Sequence, residues 1–171
     1  SLSERRSQAE VHTERNTWFA SVRAETTAIT ANFSGSNPND RKTEINVREL
    51  IFFPTAVDID YITIDGFLFL HAAPNWQAPN IGENDPNPLT QVGAIGSKMG
   101  KHWIIQNCEV SFSKTAGIMM GETFDKFDQH ENIESFGDHI VRTNVIPRCG
   151  EYGIAGQKGM SRSLIYGNLI E

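Results

Sequence analysis

The chain has 171 residues, with 15 Lys+Arg against 21 Asp+Glu and a formal charge of −6. This acidic excess argues against a nucleic-acid partner. A composition of 39% apolar and 21% charged residues is typical of a folded domain rather than a disordered one. The longest apolar runs, such as residues 50–53, are too short to predict a membrane span. Two cysteines are too few for a disulfide scaffold, and we expect both to be free thiols.

The first third of the chain is less regular than the remainder. Residues 1–16 are polar and form a predicted N-terminal extension, either a surface helix or a frayed tail. Apolar residues then alternate at Ile29, Ala31 and Phe33, which is typical of a strand. A turn-forming stretch at 34–40 and a predicted strand at 44–48 follow.

Four later segments resemble one another, each with an apolar first residue, a polar or small centre and an apolar end. They are residues 64–69, 105–110, 141–146 and 165–170. Glycine-containing second segments begin at Gly93, Gly117 and Gly153. The last two each lie 12 residues after the start of their unit, whereas Gly93 lies 29 after its own. The pattern therefore indicates a repeat that insertions interrupt.

Two insertions account for the irregular spacing, one at 74–90 and one at 122–137. Without them the period is near 24 residues, which favours a right-handed parallel β-helix over residues 17–171. A β-sandwich is the alternative, but no Asn-Gly or Asp-Gly hairpin turn joins alternating strands. The chain lacks an initial Met and ends in a strand-like segment, so we expect a section of a longer β-helix.

Asn144 and Asn168 occupy equivalent positions of this repeat, and Cys108 occupies the same position in an earlier unit. We call these three aligned positions the asparagine file. Asparagine at such a corner can bond to the neighbouring coil and tolerates a left-handed backbone. The file therefore predicts hydrogen bonds between successive coils.

Carboxylates are the leading candidates for chemistry, because insertions on a repeat scaffold usually carry its function. The second insertion holds Asp125 and Asp128, with His130 between aromatic and acidic neighbours. Glu151 stands two residues before Gly153, where partial burial would suit a general acid. An extended segment from 122 to 128 spans about 20 Å, so Asp128 can reach Glu151. A solvated acidic loop is the simpler interpretation of each carboxylate.

The first insertion and the strand ends supply candidate sugar contacts. Trp76 lies in a Pro/Asn-rich loop, where an exposed indole could stack on a sugar ring, and His71 precedes it. Gln91 and Lys98 flank the second segment of that unit. Each residue has a structural alternative, namely loop packing for Trp76 and a buried structural role for His71. Trp103 is predicted to be core.

No metal or cofactor is predicted. The acidic insertion lacks the spacing of an EF-hand, and the chain has no phosphate loop, dinucleotide fingerprint or Gly-x-Ser-x-Gly elbow.

Ordered motifs over residues 17–171 resemble bacterial right-handed β-helix glycoside hydrolases of the β-xylosidase type. They include residues 31–39, 44–48, 71–79, 91–96, 139–142 and 149–156. The resemblance implies retaining hydrolysis of a xylo-type or related glycan, with Asp128 as nucleophile and Glu151 as acid/base. Asp125 is the fallback nucleophile. His71, Trp76, Gln91, Lys98 and His130 are the implied substrate contacts.

Two positions depart from the family pattern. Lys98 and Met99 stand where relatives tend to have a His-Trp pair. Relatives also have Gln at the position of Glu151, or an acid one residue earlier, where this chain has Gly150.

Two other functions remain open on the sequence alone. A polysaccharide lyase could use a basic residue such as Lys98 or Arg148, and a non-catalytic carbohydrate-binding protein would need only exposed aromatics. The expected partner is a carbohydrate, and a partner chain or homo-oligomer could cover the open β-helix ends. No signal peptide is visible, and the sequence does not distinguish the cytoplasm, the periplasm and secretion.

Overall fold

The computed structural model describes residues 2–56, 58–74, 93–121, 137–156 and 159–171. These form two compact units, Ser1–Ile45 and Asn46–Glu171. In the described residues, strands are short and the single α-helix has six residues. None of the helices in these ranges is long and apolar enough to cross a membrane.

The first unit combines a short helix with a small sheet. Its elements are β1 (Ser3–Glu4), α1 (Gln8–Thr13), β2 (Thr17–Val22), β3 (Thr27–Asn32) and a 3-10 helix (Pro38–Asp40). The helix begins after Ser7, whose hydroxyl accepts a hydrogen bond from the Glu10 amide at 3.4 Å. β1 pairs with β2 in parallel, and β2 pairs with β3 antiparallel. Residues 29–32 of the segment with alternating apolar residues therefore lie in β3, the second strand of an antiparallel hairpin.

The second unit contains three parallel sheets. The first sheet comprises β4 (Thr63–Asp65), β7 (Ile104–Gln106), β10 (Ile140–Arg142) and β13 (Leu164–Tyr166). The second comprises β5 (Leu68–Leu70), β8 (Glu109–Ser111), β11 (Val145–Ile146) and β14 (Leu169–Ile170). The third comprises β6 (Gly93–Gly96), β9 (Ala116–Met120) and β12 (Tyr152–Gly156).

The core of the second unit consists of aliphatic rows contributed by the three sheets. Ile105, Val110 and Ile118 represent one row each, and all three are 0% exposed. Trp103 is 1% exposed and its indole N–H donates to the Ile59 carbonyl at 2.6 Å, which confirms the prediction that it is core. Burial of these apolar side chains is the main favourable contribution to folding.

The asparagine file connects successive strands of the parallel sheets. The Asn144 side chain accepts from the Cys108 amide at 3.0 Å and donates to the Ile105 carbonyl at 2.9 Å. The Asn168 side chain accepts from the Asn144 amide at 3.0 Å in the same manner. The predicted hydrogen bonds between equivalent positions are therefore confirmed.

The prediction of one right-handed parallel β-helix over residues 17–171 is wrong. The second unit has separate small parallel sheets, and residues 17–32 form an antiparallel hairpin in the other unit. That hairpin has a four-residue connection, closed by the Arg23 amide bonding to the Thr26 carbonyl at 2.8 Å, so it needs no Asn-Gly signal.

The alignment of the first glycine segment was also wrong by one residue. Gly93 pairs with Ala116 rather than with Gly117. The spacing between paired strands of the first sheet is 24 residues for β10 and β13, 36 for β7 and β10, and 41 for β4 and β7. The proposed division at residue 16 and the insertions at 74–90 and 122–137 stay predictions, since most of the inserted residues lie outside the described ranges. A covering partner chain likewise remains a prediction.

Candidate functional site

Three of the eight candidate site residues fall in the described ranges, namely His71, Lys98 and Glu151. The other five lie outside those ranges, and their predicted roles stay predictions: Asp125, Asp128, His130, Trp76 and Gln91.

Glu151 is an exposed carboxylate directly before β12. Its amide donates to the Thr115 carbonyl at 3.1 Å, and the preceding Gly150 amide donates to the Ser113 carbonyl at 2.9 Å. These two bonds fix the backbone at the point where the carboxylate emerges. A Cβ at Gly150 would lie 2.1 Å from the Lys114 carbonyl oxygen, so an acid at that position would require the backbone to move. The backbone at this strand start therefore accommodates a side chain at position 151 but not at position 150.

Thr115 lies beside Glu151 on the neighbouring strand, since β9 and β12 pair with Ala116 opposite Tyr152. Its hydroxyl is buried, and no partner for it is present in the described part of the chain. An unsatisfied buried hydroxyl costs about 1–3 kcal/mol. The sequence contains no signal for this group, because no local pattern reveals an unsatisfied hydroxyl.

An aromatic and cationic stack lies at the corner that leads into the third sheet. The His71 and Phe112 rings are stacked with centroids 5.1 Å apart, and the Arg148 guanidinium lies 5.3 Å from the Phe112 centroid. All three residues have positive φ, near 58–67°. His71 therefore packs against a neighbour, and its contact with substrate stays a prediction. A guanidinium remains protonated and serves poorly as a lyase base.

Lys98 lies at the other end of the third sheet, two residues after β6. It is only 8% exposed, and no side chain in the described ranges pairs with its ammonium. Lys98 therefore follows the C-terminal end of β6, whereas Glu151 precedes the N-terminal end of β12 in the same parallel sheet.

The two cysteines are free thiols, as predicted. Burial raises the pKa of the Cys149 thiol above its usual value, which leaves it a poor nucleophile. Across the described segments, no group of three or more His, Cys, Asp and Glu side chains is placed to hold a metal ion.

His139 is 0% exposed, and burial lowers its pKa from 6.5 to about 4. Its Nδ1 accepts from the Trp103 amide at 3.2 Å, so the proton of the neutral ring is on Nε2. The backbone of Gly159 raises the His139 pKa and so partly opposes the effect of burial. Among the described residues, however, no hydrogen bond of good geometry reaches Nε2. His139 thus acts in the structure as a neutral acceptor.

Polar side chains on the first sheet satisfy one another. Gln106 donates to Asp65 at 2.7 Å, Arg142 donates to Gln106 at 2.8 Å, and Arg142 donates to the Tyr166 hydroxyl at 2.9 Å. Hydrogen bonds from Asn107 and Gln106 hold the pKa of Asp65 below its usual value. Because its groups are already paired, this row is a weaker candidate for ligand binding.

A cavity of about 250 Å³ is lined by residues with apolar side chains. It is formed by Ile51, Phe52, Phe53, Pro54, Ile59, Ile62 and Trp103. Ligand sites combine apolar walls with a few convergent polar side chains, and this lining supplies none. The end of the third sheet near Glu151 is the better candidate site.

Comparison with known proteins gives one informative likeness. No protein-family model matches the sequence, and neither does any curated protein. Among solved structures, XylC in complex with xylose superposes on 90% of this chain with a TM-score of 0.72 and 34% sequence identity. This chain covers 27% of the length of that XylC chain. The chain is therefore similar in sequence and structure to part of a protein solved with xylose.

Proposed function

We propose that this chain provides part of a glycosidase site for xylose-type glycans, with Glu151 as the acid/base and Asp128 as the nucleophile of a retaining reaction. The observation that carries the proposal is the 34% identity to XylC with xylose over 90% of the chain. The exposed carboxylate at Glu151, with its fixed backbone, supplies a suitable group.

The chemistry of Glu151 follows from its position at the sheet end. In the first step its carboxyl group protonates the leaving glycosidic oxygen while Asp128 attacks the anomeric carbon. In the second step the Glu151 carboxylate takes a proton from water as that water displaces Asp128.

The pairing with Asp128 depends on chain length. A retaining pair needs carboxyl groups about 5–5.5 Å apart. Asp128 is seven residues after Gly121, which aligns with the far end of the sheet, about 20 Å from Glu151. Seven extended residues span about 24 Å, so the chain is long enough to bring the two carboxylates together. Asp125 has a shorter reach and is the less favoured nucleophile.

The direct test is hydrolysis of an aryl β-xyloside by the intact protein and its variants. Glu151→Gln and Asp128→Asn should each lower kcat/KM by about 1000-fold or more, because each removes a group needed in the transition state. Azide should rescue Asp128→Gly, in which the missing side chain leaves room for the anion, with formation of a glycosyl azide. Glu109→Gln is the matched control, since Glu109 is an exposed carboxylate on β8. Wild-type rates in either site variant would contradict the assignment.

The same assay separates the other functions. A product with ultraviolet absorption would indicate elimination by a lyase instead of hydrolysis. Xylo-oligosaccharide binding without turnover, lost in Trp76→Ala, would indicate a binding protein.

A further inference from the structure

We draw no further inference here: the strongest candidate, the apolar edge formed by β13 and β14, where Ile165 and Ile170 are 46% and 52% exposed although Val141 and Ile146 opposite them are 0% exposed, carries no proposal because nothing in the structure shows what covers that edge.

Discussion

Substitution of Asn144 by alanine tests how far the asparagine file stabilises the second unit. Asn144 is 1% exposed, and its side chain makes three hydrogen bonds. Two of them satisfy backbone groups of the preceding strands, the Cys108 amide and the Ile105 carbonyl. The third reaches the Asn168 side chain at 3.0 Å.

The expected loss is about 2–5 kcal/mol. Alanine leaves the buried Cys108 amide without its partner, which costs about 1–3 kcal/mol, and removes the side-chain hydrogen bonds to the Ile105 carbonyl and to Asn168, which contribute about 1 kcal/mol each. The loss lies near the lower end of this range if the cavity left by the Asn144 side chain collapses or takes up water, and near the upper end if it stays empty. Since native domains are stable by about 5–15 kcal/mol, Asn144→Ala removes a large fraction of the total.

Equilibrium urea unfolding of Asn144→Ala and Thr143→Ala gives the comparison. Thr143 is the exposed neighbour, and its hydroxyl bonds to the Asn107 side chain at 2.7 Å. Its loss should cost about 1 kcal/mol or less. If Asn144→Ala destabilised the protein by no more than Thr143→Ala, the reasoning from buried backbone groups would be refuted.

Two further variants probe the packing of the second unit. His139 stays neutral in the folded chain down to about pH 4 but titrates near 6.5 when unfolded, so the unfolded state binds more protons and stability falls as the pH drops between these values. The full shift is worth about 3 kcal/mol, and His139→Asn should remove most of that pH-dependent loss in urea titrations at pH 7 and pH 4.5; parallel curves for both proteins would contradict this. Gly100→Ala places a Cβ 2.2 Å from the Ile59 carbonyl oxygen, so its free energy of unfolding in urea should fall by about 2–4 kcal/mol. Gly66→Ala meets nothing within 4 Å but has φ +75°, and should cost about 1 kcal/mol; equal losses would argue against the clash.

The repeat pattern predicted which segments pair with one another, but it did not predict how far along the chain the parallel pairing extends. Segments beginning at Ile64, Ile105 and Val141 pair in register in one parallel sheet, as their shared pattern implies. The same periodicity gave no warning that residues 17–32 form an antiparallel hairpin. Alternating apolar residues suit either strand direction, because the side-chain period of two is the same in both.

The candidate site shows a similar division. The sequence placed Glu151 at a strand start, and it does precede β12. No sequence pattern predicts that Lys98 is only 8% exposed, or that the Thr115 hydroxyl has no partner among the described residues. Burial depends on atoms brought from distant parts of the chain, which no local pattern contains.

By itself the sequence determined the apolar rows, the corner asparagines Asn144 and Asn168 and the core position of Trp103, because these follow from side-chain period and from local turn chemistry. The tertiary structure alone decided that the parallel sheets are separate, that Gly93 pairs with Ala116, and that Lys98 lies at the opposite end of the third sheet from Glu151. The physical reason is that register and sheet continuity are set by packing between residues far apart in the chain. A shift of one residue leaves the local pattern intact but moves every side chain to the other face.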